Sequence, residues 1–185
     1  MTSSNDDILF FYSKSKHTPA GQIVPGRTNQ EYTMDPTIYN ELNSILNWRH
    51  VLSNFYAFDF TIEVSPDVIL TFRTIEHGFH YFKIRLSSPI RAFEFALESG
   101  TALSKGTGAD AKRARKLVVL NDTQIQQWNR MSWSVMEQLA KCRFSQDPYS
   151  KKILLLTQQA QLWHTVSRKA PVRFEHLERI RNELA

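Results

Sequence analysis

The chain opens with a compact apolar run, Ile8-Leu9-Phe10-Phe11-Tyr12-Ser13, which predicts a buried first strand. Residues 14–33 carry Pro19, Gly21, Pro25 and Gly26 among polar neighbours and predict a long loop. Asp35-Pro36 has the form of a helix start, and Ile38, Leu42, Ile45 and Leu46 give an amphipathic helix to about Trp48. Residues 14–50 thus form a loop and helix inserted after the first strand. Ser53-Asn54 interrupts the apolar pattern as a turn. Phe58–Val64 and Val68–Arg73 alternate as a strand pair, and the second strand runs directly into a helix over Thr74–Arg85. Such a junction aims the first backbone amides of the helix at whatever lies before it. Ser88-Pro89 starts another helix, with Ile90, Phe93, Ala96 and Leu97 as its apolar face and Gly100 as its stop. The longest helical pattern runs from Asp122, its expected cap, to Phe144, on Ile125, Trp128, Met131, Val135, Met136, Leu139 and Phe144. Asp147-Pro148 opens a helix to Leu156, Leu162–Val166 reads as a strand, and Phe174, Leu177, Ile180, Arg181 and Leu184 define a closing helix. Strands and helices do not alternate regularly, which predicts an α+β fold rather than a doubly wound sheet.

A length of 185 residues suits one domain, residues 1–185, and 42% apolar residues supply a core. The net charge of +5 favours anionic partners. The single cysteine, Cys142, rules out an intrachain disulfide and a multi-cysteine metal site, and its helical setting suits a packed thiol. Met1 to Asp7 is too polar for a signal peptide, and no apolar run approaches the ~20 residues that span a bilayer. The expectation is a soluble cytoplasmic protein with no membrane contact.

The chemistry converges on residues 74–85. Glu76, His80 and Lys83 stand at i, i+4 and i+7 and share one helix face, beside an apolar face of Ile75, Phe79, Phe82 and Leu86. Two readings of that stripe stand side by side: a solvated surface pair, or acid/base groups presented by a helix anchored through its aromatic face. The six histidines are scattered and form no His-Glu-x-x-His motif, so no metal site is expected. Neither a Gly-x-Ser-x-Gly elbow nor a P-loop is present. Lys105, Lys112, Arg113, Arg115 and Lys116 lie in a segment, Ser104–Lys116, that is glycine-containing and then basic, as a phosphate or nucleic-acid patch or as a solvated basic face.

An ordered set of motifs resembles the NADAR (YbiA-like) family. It comprises Phe11-Tyr12-Ser13, Trp48-Arg49-x-Val51-Leu52-Ser53-Asn54-Phe55, and Thr74-x-Glu76-His77-x-Phe79-x-x-x-Lys83. It continues through Ala111–Arg115, Met136 to Gln146, Leu154-Leu155-Leu156-Thr157-x-x-Ala160-x-Leu162-x-His164, Pro171, and Leu177-x-x-Ile180-Arg181-x-x-Leu184. Gly78 and His80 depart from the Tyr and Gln of the bacterial form. The short Val166–Val172 segment resembles the viral and eukaryotic branch rather than bacterial YbiA.

The resemblance implies a compact α+β fold and hydrolysis of an N-glycosidic bond to ribose, with no cofactor. The implied substrate contains ADP-ribose, with ADP-ribosylated guanine in DNA, RNA or a nucleotide as the leading case. Another ribosyl-amine, such as a riboflavin-pathway intermediate, is the alternative, and a non-catalytic ADP-ribose-binding module is a third reading. Glu76 and Lys83 are the implied catalytic pair. Lys83 either attacks the anomeric carbon as an amine or binds phosphate or ribose. Tyr12, Phe55 and Trp128 either stack on a base or pack in the core, and Asn54 either bonds ribose or shapes its turn. Ser13, His77 and His80 complete the implied ligand-binding set.

Overall fold

The structure, a computed structural model, describes residues 6–13, 18–21, 31–166 and 169–185. The fold is α+β, with most of the chain helical and the strands in two small sheets. The chain forms two units, residues 1–53 with 148–185, and residues 54–147.

In the first unit, β1 (Ile8–Phe11) runs parallel to β4 (Gln161–His164), with Ile8 opposite Gln161 and Phe11 opposite His164. A two-residue strand, β5 (Val172–Arg173), pairs antiparallel with β4 and is too short to show in an alternation pattern. The helix expected from Asp35 to Trp48 is divided. Asp35 does cap it, accepting from the Thr37 amide, but the first turn, Pro36–Tyr39, is a 3-10 helix. Only α1 (Asn40–Asn43) follows, and α2 (Trp48–Val51) starts afresh. Three residues per turn rotate the buried face. Tyr39 and Leu42 are therefore buried, while Ile38 and Leu46 are exposed. Next come α7 (Pro148–Leu156) and α8 (Glu175–Leu184). Phe11 stacks among His164 and Phe174 at 5.2 and 5.3 Å.

The buried polar groups of this unit centre on Arg49. Its guanidinium pairs with both oxygens of Glu31 and donates to the carbonyls of Phe10, Thr18 and Pro19. Glu31 in turn accepts from the amides of Phe10 and Gly21. Arg49 and Glu31 thus reach the described parts of the loop expected over 14–33, at Thr18, Pro19 and Gly21. Most of that loop lies outside the described residues.

In the second unit, β2 (Phe60–Ser65) and β3 (Val68–Phe72) form an antiparallel hairpin with a register shift at Glu63/Ser65. Its inner face carries Phe60, Ile62, Leu70 and Phe72. The chain passes straight into α3 (Ile75–Arg85), which lies against α4 (Pro89–Phe93), α5 (Gly108–Ala114) and α6 (Asp122–Gln146). Gly78 permits the approach of α6: a Cβ there would stand 2.4 Å from a Leu139 methyl. Two expectations are corrected. The α6 cap is Asn121, whose side chain and that of Gln124 satisfy each other's backbone amides, so Asp122 is the first helical residue. The α4 helix stops at Phe93 and continues in i→i−3 bonds, Phe95 to Ala92 and Ala96 to Phe93. Ala92, Phe95 and Ala96 are buried in consequence, and Ile90 and Phe93 face solvent.

Candidate functional site

Three local interactions set α3. Thr74 caps it, its hydroxyl accepting from the His77 amide at 3.2 Å. The same hydroxyl lies 2.8 Å from His77 Nδ1, while His77 Nε2 lies 3.1 Å from the Leu103 carbonyl. A carbonyl only accepts, so the proton is on Nε2, and Nδ1 accepts the Thr74 hydroxyl hydrogen. His77 is fully buried, with Phe95 edge-on to its ring, and burial holds its pKa below the usual histidine value. Both of its nitrogens are committed to the protein. Three of the junction amides are committed too: Glu76 donates to the Asn54 carbonyl at 3.1 Å, and His77 and Gly78 to Thr74. For Glu76, His77 and Gly78 the expectation that these amides face a ligand is therefore corrected.

The stripe on the next face is buried rather than solvated. Glu76 is 9% exposed and His80 4%. His80 Nε2 stands 3.1 Å from Glu76 Oε1, a hydrogen bond across one helical turn. Lys83 is half-buried and forms no ion pair or hydrogen bond through its amine among the described residues. Phe79 is half-buried between them in sequence, its ring 5.8 Å from His80 and edge-on to Trp128 at 4.8 Å.

The other expected residues divide between the two units. Asn54, Phe55 and Trp128 share a unit with α3, and Tyr12 and Ser13 belong to the other. The Asn54 side chain donates to the Met136 sulfur at 3.3 Å, a weak acceptor that a ligand oxygen can replace at little cost. Phe55 is half-buried, packed against Gly108, with the Lys112 ammonium 5.7 Å from its ring centre. Trp128 is 6% exposed and Trp133 58%. Tyr12 and Ser13 are half-buried, and the Arg49 guanidinium lies 5.8 Å from the Tyr12 ring centre. Sequence reasoning passed over Phe95, which packs on both His77 and His80. The early end of α4 hid it.

Around the site, Arg113 pairs with Asp110, and Lys105, Arg115 and Lys116 are exposed. Hydrogen bonds from Thr107 hold the Asp110 carboxyl down at about 2. Cys142 is half-buried and its thiol is pushed up by burial. Among the described residues no three His, Cys, Asp or Glu side chains group to hold a metal ion, and no helix is long and apolar enough to cross a membrane.

The mixed helix-sheet fold defines an α+β protein, and a buried carboxyl–imidazole pair and an amine with no partner among the described residues lie along one of its helices. The chain belongs to the NADAR family: the NADAR domain profile matches residues 44–169, and the family has N-glycosidase members. The NMR structure of the E. coli protein YbiA is similar in fold, with a TM-score of 0.52 at 19% identity over 74% of this chain and 76% of that one. A comparison with curated proteins returned no match.

Proposed function

We propose that the chain is an N-glycosidase that hydrolyses the ribosyl C1–N bond of ADP-ribosylated guanine, in nucleic acid or nucleotide, and releases ADP-ribose. One observation carries this reading: Glu76 and Lys83 lie two turns apart on α3, and Glu76 bonds His80 instead of Lys83. The amine is left unengaged. Family membership supports N-glycoside chemistry, and the net charge of +5 suits a substrate bearing phosphates. The short segment between Val166 and Val172 supports placement beside the viral and eukaryotic branch and turns the reading toward guanine rather than a riboflavin-pathway riboside.

Cleavage of a ribosyl C1–N bond places positive charge on the anomeric carbon and negative charge on the departing base. The Glu76 carboxylate stabilises the first. The Lys83 amine attacks C1 in its neutral form: the Nζ–C1 bond forms, the C1–N bond breaks, and its electrons leave with the base, which takes up a proton. Nζ sheds a proton to water, the sugar ring opens to the imine, and water releases ADP-ribose and restores the amine. Asn54 exchanges Met136 for a ribose hydroxyl, and Phe55 borders the base.

The test is incubation of the protein with ADP-ribosyl-guanosine and chromatographic detection of free ADP-ribose. Glu76→Gln is expected to slow release by roughly 10²- to 10⁴-fold. Tight binding of ADP-ribose with no release from the guanosine adduct would replace the enzyme with a binding module.

A further inference from the structure

His80 has one nitrogen on Glu76 and one on nothing. Nε2 meets Glu76 Oε1 at 3.1 Å, while Nδ1 is buried and has no hydrogen-bond partner. A buried polar atom without a partner costs about 1–3 kcal/mol, so its presence asks for a reason. The ring's neighbours are Phe79 at 5.8 Å and Phe95 at 6.2 Å, which offer no acceptor. A proton on Nδ1 would strand a donor against two hydrocarbon rings and set two lone pairs, those of Nε2 and Oε1, against each other. A proton on Nε2 strands only a lone pair and completes a bond to the carboxylate. Glu76 makes no other side-chain hydrogen bond among the described residues, and neither of its oxygens is both buried and unpartnered. Its second oxygen thus remains open to a ligand.

We propose that His80 is a positioning residue for the reaction: its Nε2–H fixes Glu76 through Oε1, keeps that oxygen from Lys83, and so holds carboxylate and amine apart as two separate working groups. This rests on the N-glycosidase reading for its kinetic consequence, and on geometry alone for the hydrogen bond. His80 itself makes no contact with substrate in this arrangement. Without it, the Glu76 carboxylate loses its fixed partner and is free to turn along its own helix face toward Lys83, two turns away.

Glutamine places an amide N–H near the position of histidine Nε2 and does not titrate, whereas leucine fills the ring's volume without a donor. His80→Gln is expected to keep kcat within about fivefold of wild type. His80→Leu is expected to lose about tenfold to a hundredfold in kcat, with KM little changed, the size of one hydrogen bond to a charged group. Nitrogen-15 NMR of the wild-type imidazole rings, assigned by loss of the His80 signals in His80→Gln, should show His80 protonated on Nε2. A ring with no proton on Nε2 overturns the proposal, as does a His80→Leu variant with wild-type kcat, or a glutamine variant as weak as the leucine one. If the wild-type protein cleaves no N-riboside, the proposed function falls, and the tautomer still decides the bond between His80 and Glu76.

Discussion

Glu76 and Lys83 occupy the same face of α3, yet the carboxylate bonds His80 at 3.1 Å and the lysine amine pairs with nothing among the described residues. On an isolated helix direct side-chain pairs form at i,i+3 and i,i+4 and contribute only a few tenths of a kcal/mol, and a pair seven residues apart is farther separated still. Burial changes the balance, because a desolvated carboxylate needs a well-aligned donor, and the imidazole one turn away is better placed than a long flexible chain two turns away. The lysine amine is thereby left without a countercharge among the described residues, as the proposed nucleophile requires.

The expected consequence is that Lys83→Arg is as inactive as Lys83→Ala. Arginine keeps the charge but offers no amine nucleophile. Cyanoborohydride added during turnover of ADP-ribosyl-guanosine should leave an ADP-ribosyl adduct on Lys83, seen by intact mass and peptide mapping. An active arginine variant together with an unmodified wild-type protein would reduce Lys83 to a cation that binds phosphate.

Gly108 opens α5 directly beneath Phe55. A Cβ at this position would stand 2.9 Å from the Phe55 Cα and 2.8 Å from its Cγ, so backbone as well as ring must move. Alanine is the better helix former by up to about 1 kcal/mol. Overpacking should outweigh that gain, and Gly108→Ala is expected to lose about 1–3 kcal/mol in urea unfolding and to weaken ADP-ribose binding as Phe55 shifts. An alanine variant more stable than wild type, with unchanged binding, would show that Phe55 is free to move.

The α3 helix was legible from its spacing because cap, apolar stripe and polar stripe agree over 11 residues. Periodicity states which residues share a face and is silent on what covers it. Glu76 and His80 are buried on a helix packed against α4, α5 and α6, and the spacing within α3 carries no sign of that packing, so it allowed a solvated pair. Where the helical repeat itself changes, periodicity misleads. The 3-10 turn at Pro36–Tyr39 exposes Ile38, and the early end of α4 exchanges Phe93 for Phe95. The commitment of both His77 nitrogens was also hidden, since one partner, Leu103, acts through a backbone carbonyl that any residue carries.

Arg49 and Glu31 offer a test of the first unit. Their side chains are 3% and 5% exposed, and the carboxylate also accepts two backbone amides. Removing one member of such a pair strands the other charge, so Glu31→Gln and Arg49→Met are each expected to cost about 3–5 kcal/mol in urea unfolding at neutral pH. The double variant should lose clearly less than the sum, because neither charge is then left alone. Additive losses would mean that the two side chains do not depend on each other.

His77 gives the pH dependence a definite sign. Burial holds its folded pKa below the ordinary 6.5, and the Leu103 carbonyl opposes that only in part. Above 6.5 the ring is neutral in both folded and unfolded chains, and its contribution to stability is fully present. As the pH falls below 6.5 the unfolded chain takes up the proton first, so stability is lost until the folded ring also titrates, at a slope of up to about 1.4 kcal/mol per pH unit. Carboxylates add slopes of their own, which a comparison with His77→Gln subtracts. Urea unfolding at about pH 8 and about pH 5 should show wild type losing more stability than the glutamine variant between the two conditions, by at most about 2 kcal/mol. Equal losses in the two proteins would mean that His77 binds its proton as readily folded as unfolded, and the Thr74–His77–Leu103 arrangement would then not be the fixed, neutral support of α3 described above.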